Sequence, residues 1–192
     1  MTTNETTGRI RAGATDSAPA LLLRRWEEAD AAALAEAYRD ESLRRWTSHS
    51  VPDEESALRW IREQGLRWEA GDRFAFAVVE SGAEEGPVGH VVVKGVVPGG
   101  GSAEVGYWTA AHARGRRVAS RALEALTGWA FATFAGQGLR RLELLHQVDN
   151  EASCRVARAC GYERAGTLPA APPAYPLEGH LHVRRRVSGV GP

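Results

Sequence analysis

Three arginines and a glycine, Arg114-Gly115-Arg116-Arg117, end a strand-like run and open a helix-like one, and Arg121 follows a turn later. A helix start presents backbone N–H groups without intrahelical partners, and the macrodipole adds partial positive charge, so the place suits an anion. Cations at that end cost the helix roughly 0.3–1 kcal/mol each. No acidic residue offsets them before Glu124. A bound polyphosphate reverses the sign, because guanidinium and amide donors then converge on it. A solvated basic turn is the plain alternative. The stretch is not a Walker loop, whose lysine is missing, nor a G-x-G-x-x-G dinucleotide fingerprint.

Other reactive groups lie on either side. Glu104 places a carboxylate in the preceding strand-like run. Asn150 heads a later helical run as a good N-cap, with Ser153 in its first turn. His180 and His182 share one face of a strand and fit a metal, but no third ligand is evident, so no metal is expected. Cys154 and Cys160 fall on different faces of a helix, which argues against a bridge, and both read as core or half-buried thiols. His146, near a strand end, reads either as a packed core histidine or as a group touching substrate.

The elements that position these groups follow from periodicity and caps. Residues 1–18 have no apolar period and predict a disordered leader. Strands are predicted at 20–26, 74–80, 87–97, 103–109, 139–148, 162–166 and 180–187. Helices are predicted at 28–39, from Asp53 to Gly71, from 115 to 134, and from 150 to 160 with Gly161 as its stop. An antiparallel meander followed by a strand–helix–strand crossover implies an α/β chain with a mixed sheet and helices on both faces. The expected division is one domain over 19–188 and a flexible tail at 189–192.

Composition narrows the classes. With 192 residues, 24 Lys+Arg and 24 Asp+Glu, the net charge is zero, which argues against a general nucleic-acid binder. The N-terminus has no apolar signal segment, and no run of apolar residues is long enough to span a membrane. A soluble, cytoplasmic protein is expected.

Three motifs in order then resemble one family. Arg114-Gly115-Arg116-Arg117-Val118-Ala119 resembles the acyl-CoA loop Q/R-x-x-G-x-G/A of the Gcn5-related N-acetyltransferase (GNAT) superfamily, with Arg117 where glycine is usual. EVGYW (104–108) looks like the fourth strand of the branch related to RimJ/RimL ribosomal-protein acetyltransferases. Asn150, Ser153, Arg155, Val156 and Ala157, closing on Gly161-Tyr162, look like that branch's N-x-x-S-x-R-V-A…G-F/Y helix. The resemblance covers about residues 20–187. It implies the GNAT fold, with a mostly antiparallel sheet of about six or seven strands, acetyl-CoA as donor, and an amine as acceptor.

Residue by residue, the resemblance implies that Trp108, Thr109 and Ala110 offer backbone groups to the pantetheine arm. It implies that residues 114–119 surround the pyrophosphate, and that Asn150, Ser153 and Arg155 support the cofactor. An amine must be neutral to attack a thioester, and Glu104 is the candidate base; pairing with a neighbouring strand is its other reading. Ser153 is the candidate acid at the leaving sulfur, since the family's usual tyrosine is replaced by Ala157. The region walling the acceptor points to Trp46 and His49, with Tyr175 and His146 as further candidates. The acceptor is a protein N-terminus or a small amine, and the family's habit makes a homodimer the expected assembly. A non-catalytic acyl-CoA-binding module on the same fold is the competing reading.

Overall fold

The computed structural model describes residues 8–47, 49–82, 86–173 and 175–187. The sheet is built around a meander, β3 (Arg73–Glu80), β4 (Gly89–Lys94) and β5 (Ser102–Thr109), paired antiparallel in sequence order. Alternation along β3 divides the core. Phe74, Phe76 and Val78 face one layer, while Ala75 and Ala77 face the other. The first layer is covered by α4 (Val118–Thr133), whose Leu123 and Leu126 are fully buried. The second is covered by α1 (Ala31–Ala37) and α3 (Glu54–Glu69), which bring Leu34, Trp60 and Ile61. Helices therefore lie on both faces, as the pattern of periods implies.

Local signals set several boundaries. Asp53 caps α3 by accepting from Ser56 N–H (2.8 Å), and Gly71 ends the turn beyond it at φ +73°. Asn150 caps α5 (Glu151–Ala159), and Gly161 follows at φ +66°.

Elsewhere the structure differs from expectation. Residues 9–12 of the supposed leader form β1 (Arg9–Ala12), antiparallel to β2 (Leu21–Arg25). Its residues alternate charge with small or apolar side chains, and backbone pairing plus the burial of Ala12 holds it. Residues 1–7 and 189–192 lie outside the described residues. The helix expected over 28–39 opens as a 3-10 turn at Glu28–Asp30, where Arg24 holds Asp30 through two bonds of 2.7 and 2.8 Å. The loop expected after it contains a short helix, α2 (Glu41–Trp46), capped by Asp40. The helix expected from 115 begins at Val118, leaving the arginine-rich segment as a loop.

Among the described residues the sheet has eight strands, in the order β1-β2-β3-β4-β5-β6-β8-β7, more than the six or seven expected because β1 adds an edge. β6 (Arg141–Gln147) pairs parallel with β5, and β8 (Gly179–Arg185) inserts between β6 and β7 (Glu163–Leu168). The α4 crossover makes the parallel pair. Among the described residues no helix is long and apolar enough to cross a membrane.

Candidate functional site

β5 stays paired with β4 as far as Thr109, but its pairing with β6 ends at Val105↔Leu144. Beyond that point β6 runs against β8 alone, from Leu145 to Gln147. The two parallel strands therefore part, and residues 106–109 turn a free backbone edge to the gap. Ala110 N–H donates to the Val88 carbonyl (2.9 Å). With the strand's period of two, the Trp108 amide also faces β4, and the amides facing the gap are those of Tyr107 and Thr109. Ala110 and the Trp108 backbone, expected to offer groups to a ligand, are thus used within the sheet.

Two cavities, of about 530 and about 610 Å³, open from this gap and share Trp46, Thr47, Tyr107, Trp108, Asn150 and Ser153. Three consecutive residues of β5 have buried polar atoms with no hydrogen-bond partner among the described residues: Tyr107 Oη, Trp108 Nε1 and Thr109 Oγ1. All three residues line the larger cavity. An unpartnered buried donor costs about 1–3 kcal/mol; Tyr107 and Thr109 share one face of β5, while the Trp108 indole packs among Trp26, Tyr38 and His90 on the other.

The larger cavity runs to the start of α4. It is lined by Arg114, Gly115, Arg117, Val118 and Ala119, and across it by Asn150, Ser153 and Arg155 of the α5 region. Most of the loop expected to hold an anion is brought together here. The exception is Arg116, which pairs with Glu80 (3.0 Å); Ala110, expected at the pantetheine arm, packs into the core under α1 and α3. Two more of the arginines have internal duties. Arg114 pairs with Asp40, and Arg121 donates to the carbonyls of Gly13 and Pro19 (both 2.6 Å), tying the chain ahead of β2 to α4. Among the described residues Arg117 makes no side-chain hydrogen bond or ion pair, and it is exposed.

Arg117 also adopts φ +59°, ψ +21°, the one left-handed non-glycine conformation among the described residues. The usual glycine at this position is thereby explained: the chain must turn left-handed to aim the first amides of α4 outward. Replacing Arg117 with glycine is expected to stabilise the fold by about 1 kcal/mol, raising Tm by roughly 2–4 °C. The same change should weaken CoA binding, because it removes the unengaged cation at the cavity's mouth. Thermal melting and a calorimetric CoA titration check both directions.

The smaller cavity gathers Trp46, His49, His146 and Tyr175, the four residues expected to shape an acceptor site, together with Glu104. Glu104 pairs with Lys94 (2.7 Å), its register partner on β4, so the neighbouring-strand pairing given as its other reading does occur. His49 stacks on Trp60 with centroids 5.4 Å apart and hydrogen-bonds the Tyr38 hydroxyl. Burial, reinforced by the Arg73 charge, pulls its pKa down to about 4, so its ring is neutral at pH 7. Burial also lowers the pKa of the Arg73 guanidinium, which lines the cavity and donates to Gln64 (2.7 Å).

Sequence reasoning missed Arg73 and Lys94, whose only signal was that each stands at the end of a continuous apolar run, the start of β3 and the end of β4. Tyr107, which alternation puts on the face opposite Glu104, was also not among the expected site residues. The parted strands expose both faces. Tyr107 sits beside Ser153, and burial pushes its phenol well above the ordinary range, with Ser153 acting in the opposite sense. It is a protonated hydroxyl at the junction of the two cavities.

His180 and His182 were expected to lack a third metal ligand. The fold supplies two, His146 and Cys154, and the ligating atoms of all four residues lie within 4.8 Å of one another. The signal was the β6–β8 pairing, which sets His146 opposite His180. Cys154 and Cys160 are free thiols.

Comparison with known proteins follows the same lines. The acetyltransferase (GNAT) domain family matches residues 20–163. No curated protein sequence matches the chain significantly. Among solved structures, RimJ of Mycobacterium smegmatis, in complex with a CoA-disulfide, is 21% identical with a TM-score of 0.77, covering 93% of this chain and 86% of its own. RimL, a ribosomal L7/L12 alpha-N-protein acetyltransferase in complex with CoA, is 20% identical with a TM-score of 0.76, covering 91% and 97%. The microcin C7 self-immunity acetyltransferase MccE, in complex with acetyl-CoA and AMP, is 16% identical with a TM-score of 0.75, covering 90% and 94%. At these identities the likeness is one of fold.

Proposed function

The chain belongs to the GNAT acetyltransferase family, and from that premise we propose that it transfers acetyl from acetyl-CoA directly to a primary amine in a ternary complex. The observation that carries the reading is the gap between β5 and β6, which joins a cavity ending at a helix N-terminus to a second, polar cavity. One cavity takes the donor, the other the acceptor, and they meet at Tyr107 and Ser153. The neighbours that bind acetyl-CoA or CoA support the donor.

Acetyl-CoA supplies an activated acyl group and a thiol leaving group. The first amides of α4, with Gly115 and Arg117, hold its pyrophosphate. The free edge of β5 pairs with the pantetheine arm as an added strand would, and the Thr109 amide faces the thioester carbonyl oxygen. Asn150 fixes the start of α5 by accepting from Ser153 N–H (3.1 Å), which places the Ser153 hydroxyl at the gap. Ser153, with the Tyr107 phenol beside it, donates to the departing sulfur.

On the acceptor side Glu104 takes the proton of the incoming ammonium, with Lys94 holding its carboxylate in place. Trp46, His49 and Tyr175 shape the walls. A protein N-terminus is the favoured acceptor, because RimL acts on a protein α-amine; a small amine is the other member of the class.

Initial rates measured with both substrates varied test direct transfer. Intersecting double-reciprocal lines, with no acetylated enzyme after incubation with acetyl-CoA alone, are expected. Parallel lines with an acetylated enzyme contradict it.

A further inference from the structure

On the face of the sheet that carries α5, three imidazoles converge on one thiol. Cys154 Sγ lies 3.5 Å from His146 Nε2, 3.2 Å from His180 Nδ1 and 3.7 Å from His182 Nε2. The residues come from three elements: the end of β6, the second turn of α5, and alternate positions of β8. His182 is fully buried and Cys154 nearly so.

A thiol carries one proton, so it can satisfy at most one of three nitrogens. The rings themselves are oriented from behind. His146 Nδ1 lies 2.8 Å from the Gln147 carbonyl, and His182 Nδ1 lies 3.3 Å from the Tyr162 carbonyl. Both rings therefore donate Nδ1–H to backbone oxygen, and both turn an Nε2 lone pair toward Cys154. Imidazoles fixed through a carbonyl behind them, with lone pairs converging, are the arrangement of metal-ligating histidines. As a metal-free cluster the same arrangement has one thiol proton for three nitrogens, so at least two of them face the sulfur without a proton from it.

Metal geometry fits the spacing. With Zn–S near 2.3 Å and Zn–N near 2.05 Å, a tetrahedron has S···N edges of about 3.6 Å and N···N edges of about 3.3 Å. The three S···N distances already bracket the first value. No pair of ligating atoms is more than 4.8 Å apart, so closure needs at most about 1.5 Å of ring movement.

We propose that His146, Cys154, His180 and His182 form a four-coordinate site for Zn²⁺. Cys154 binds as the thiolate and releases its proton to solvent, while the imidazoles bind neutral. Three nitrogens and one sulfur suit a borderline cation, and four protein ligands make a closed, structural site. Its place gives it a purpose. Ser153 precedes one ligand, and His146 both ligates and lines the acceptor cavity. The cation thus pins α5 to β6 and β8 where the two cavities meet. The site stands whether or not the chain transfers acetyl groups.

Elemental analysis of the full chain, purified without chelator, is expected to find one zinc per chain. After chelation, Co²⁺ should restore one equivalent, with the ligand-field absorption of a tetrahedral ion and a thiolate charge-transfer band. Cys154→Ser should lose that band, and Zn²⁺ should raise the Tm of the chelated wild-type protein but not that of the variant. His180→Asn, at a less buried ligand, guards against a variant that merely fails to fold; it should weaken Co²⁺ binding while CoA binding persists. Protein without metal that shows no Co²⁺ spectrum at an equimolar cation overturns the proposal. So does binding that survives both substitutions.

Discussion

Replacing Glu104 with glutamine is expected to lower kcat about 100-fold while leaving the Kd for acetyl-CoA within about twofold of wild type. Glu104 lines the acceptor cavity and is absent from the donor cavity, so its loss should not reach the cofactor. The substitution keeps size and polarity and removes the ability to take a proton. Its ion pair with Lys94 is about one-third exposed on both sides, and such a pair contributes less than about 1 kcal/mol to stability. Unfolding therefore cannot account for a large rate loss. The limb of the pH–rate profile that reports the base should disappear in the variant. Lys94→Met removes the same ion pair and keeps the carboxylate, so it should retain most activity. If Lys94→Met and Glu104→Gln lose rate equally and both profiles keep their shape, Glu104 is only a strand-pairing residue.

The second expectation separates helix stability from ligand binding. Ala119 lies in the first turn of α4 and lines the donor cavity. A glutamate there is favourable to the helix by roughly 0.3–1 kcal/mol, because a negative charge meets the positive end of the macrodipole. The same charge would occupy the field that the proposed binding mode gives to the pyrophosphate. At about 4 Å and an effective dielectric near 20, one like-charge pair costs about 4 kcal/mol. Ala119→Glu should therefore weaken CoA binding at least 100-fold without lowering Tm. Ala119→Gln, similar in size but neutral, should lose less than about tenfold. Equal losses in the two variants would mean that bulk rather than charge matters, and that the anion sits elsewhere.

Features legible in the sequence were those written in contiguous residues. Asp53 with Ser56 and Gly71 delimit α3, and Asn150 with Gly161 delimit α5, because caps act within one turn. The arginine-rich approach to α4 was readable for the same reason: its arginines and its helix start are adjacent. What stayed hidden depends on distant partners. β1 has four residues, too short for its alternation of arginines with Ile10 and Ala12 to stand out as a strand, and it exists because β2 offers it an edge and Arg121 holds the following carbonyls. α2 is six residues long; its cap, Asp40, was visible, but its apolar face was too short to show a period.

Insertion of β8 between β6 and β7 brings His146, His180 and His182 onto one face, and no spacing rule connects position 146 with 180 and 182. Tyr107 keeps the face that its parity gives it, packed against the core under α4. Alternation assigns it to the face opposite Glu104, yet where β5 and β6 part, a residue on either face can reach the gap. Arg117 is the case where sequence and structure sharpen each other. The family's glycine at that position and the left-handed backbone observed there are one requirement, and this chain meets it with a strained arginine.

Transfer itself is tested most directly by following thiol release from acetyl-CoA with a panel of peptide N-termini and small primary amines, with the acetylated product identified by mass spectrometry. The cleft predicts stoichiometric thiol and N-acetyl product with at least one member of the panel, dependent on both substrates. Tight acetyl-CoA binding with no thiol released by any amine would contradict it, and would make this chain an acyl-CoA-binding module on an acetyltransferase fold.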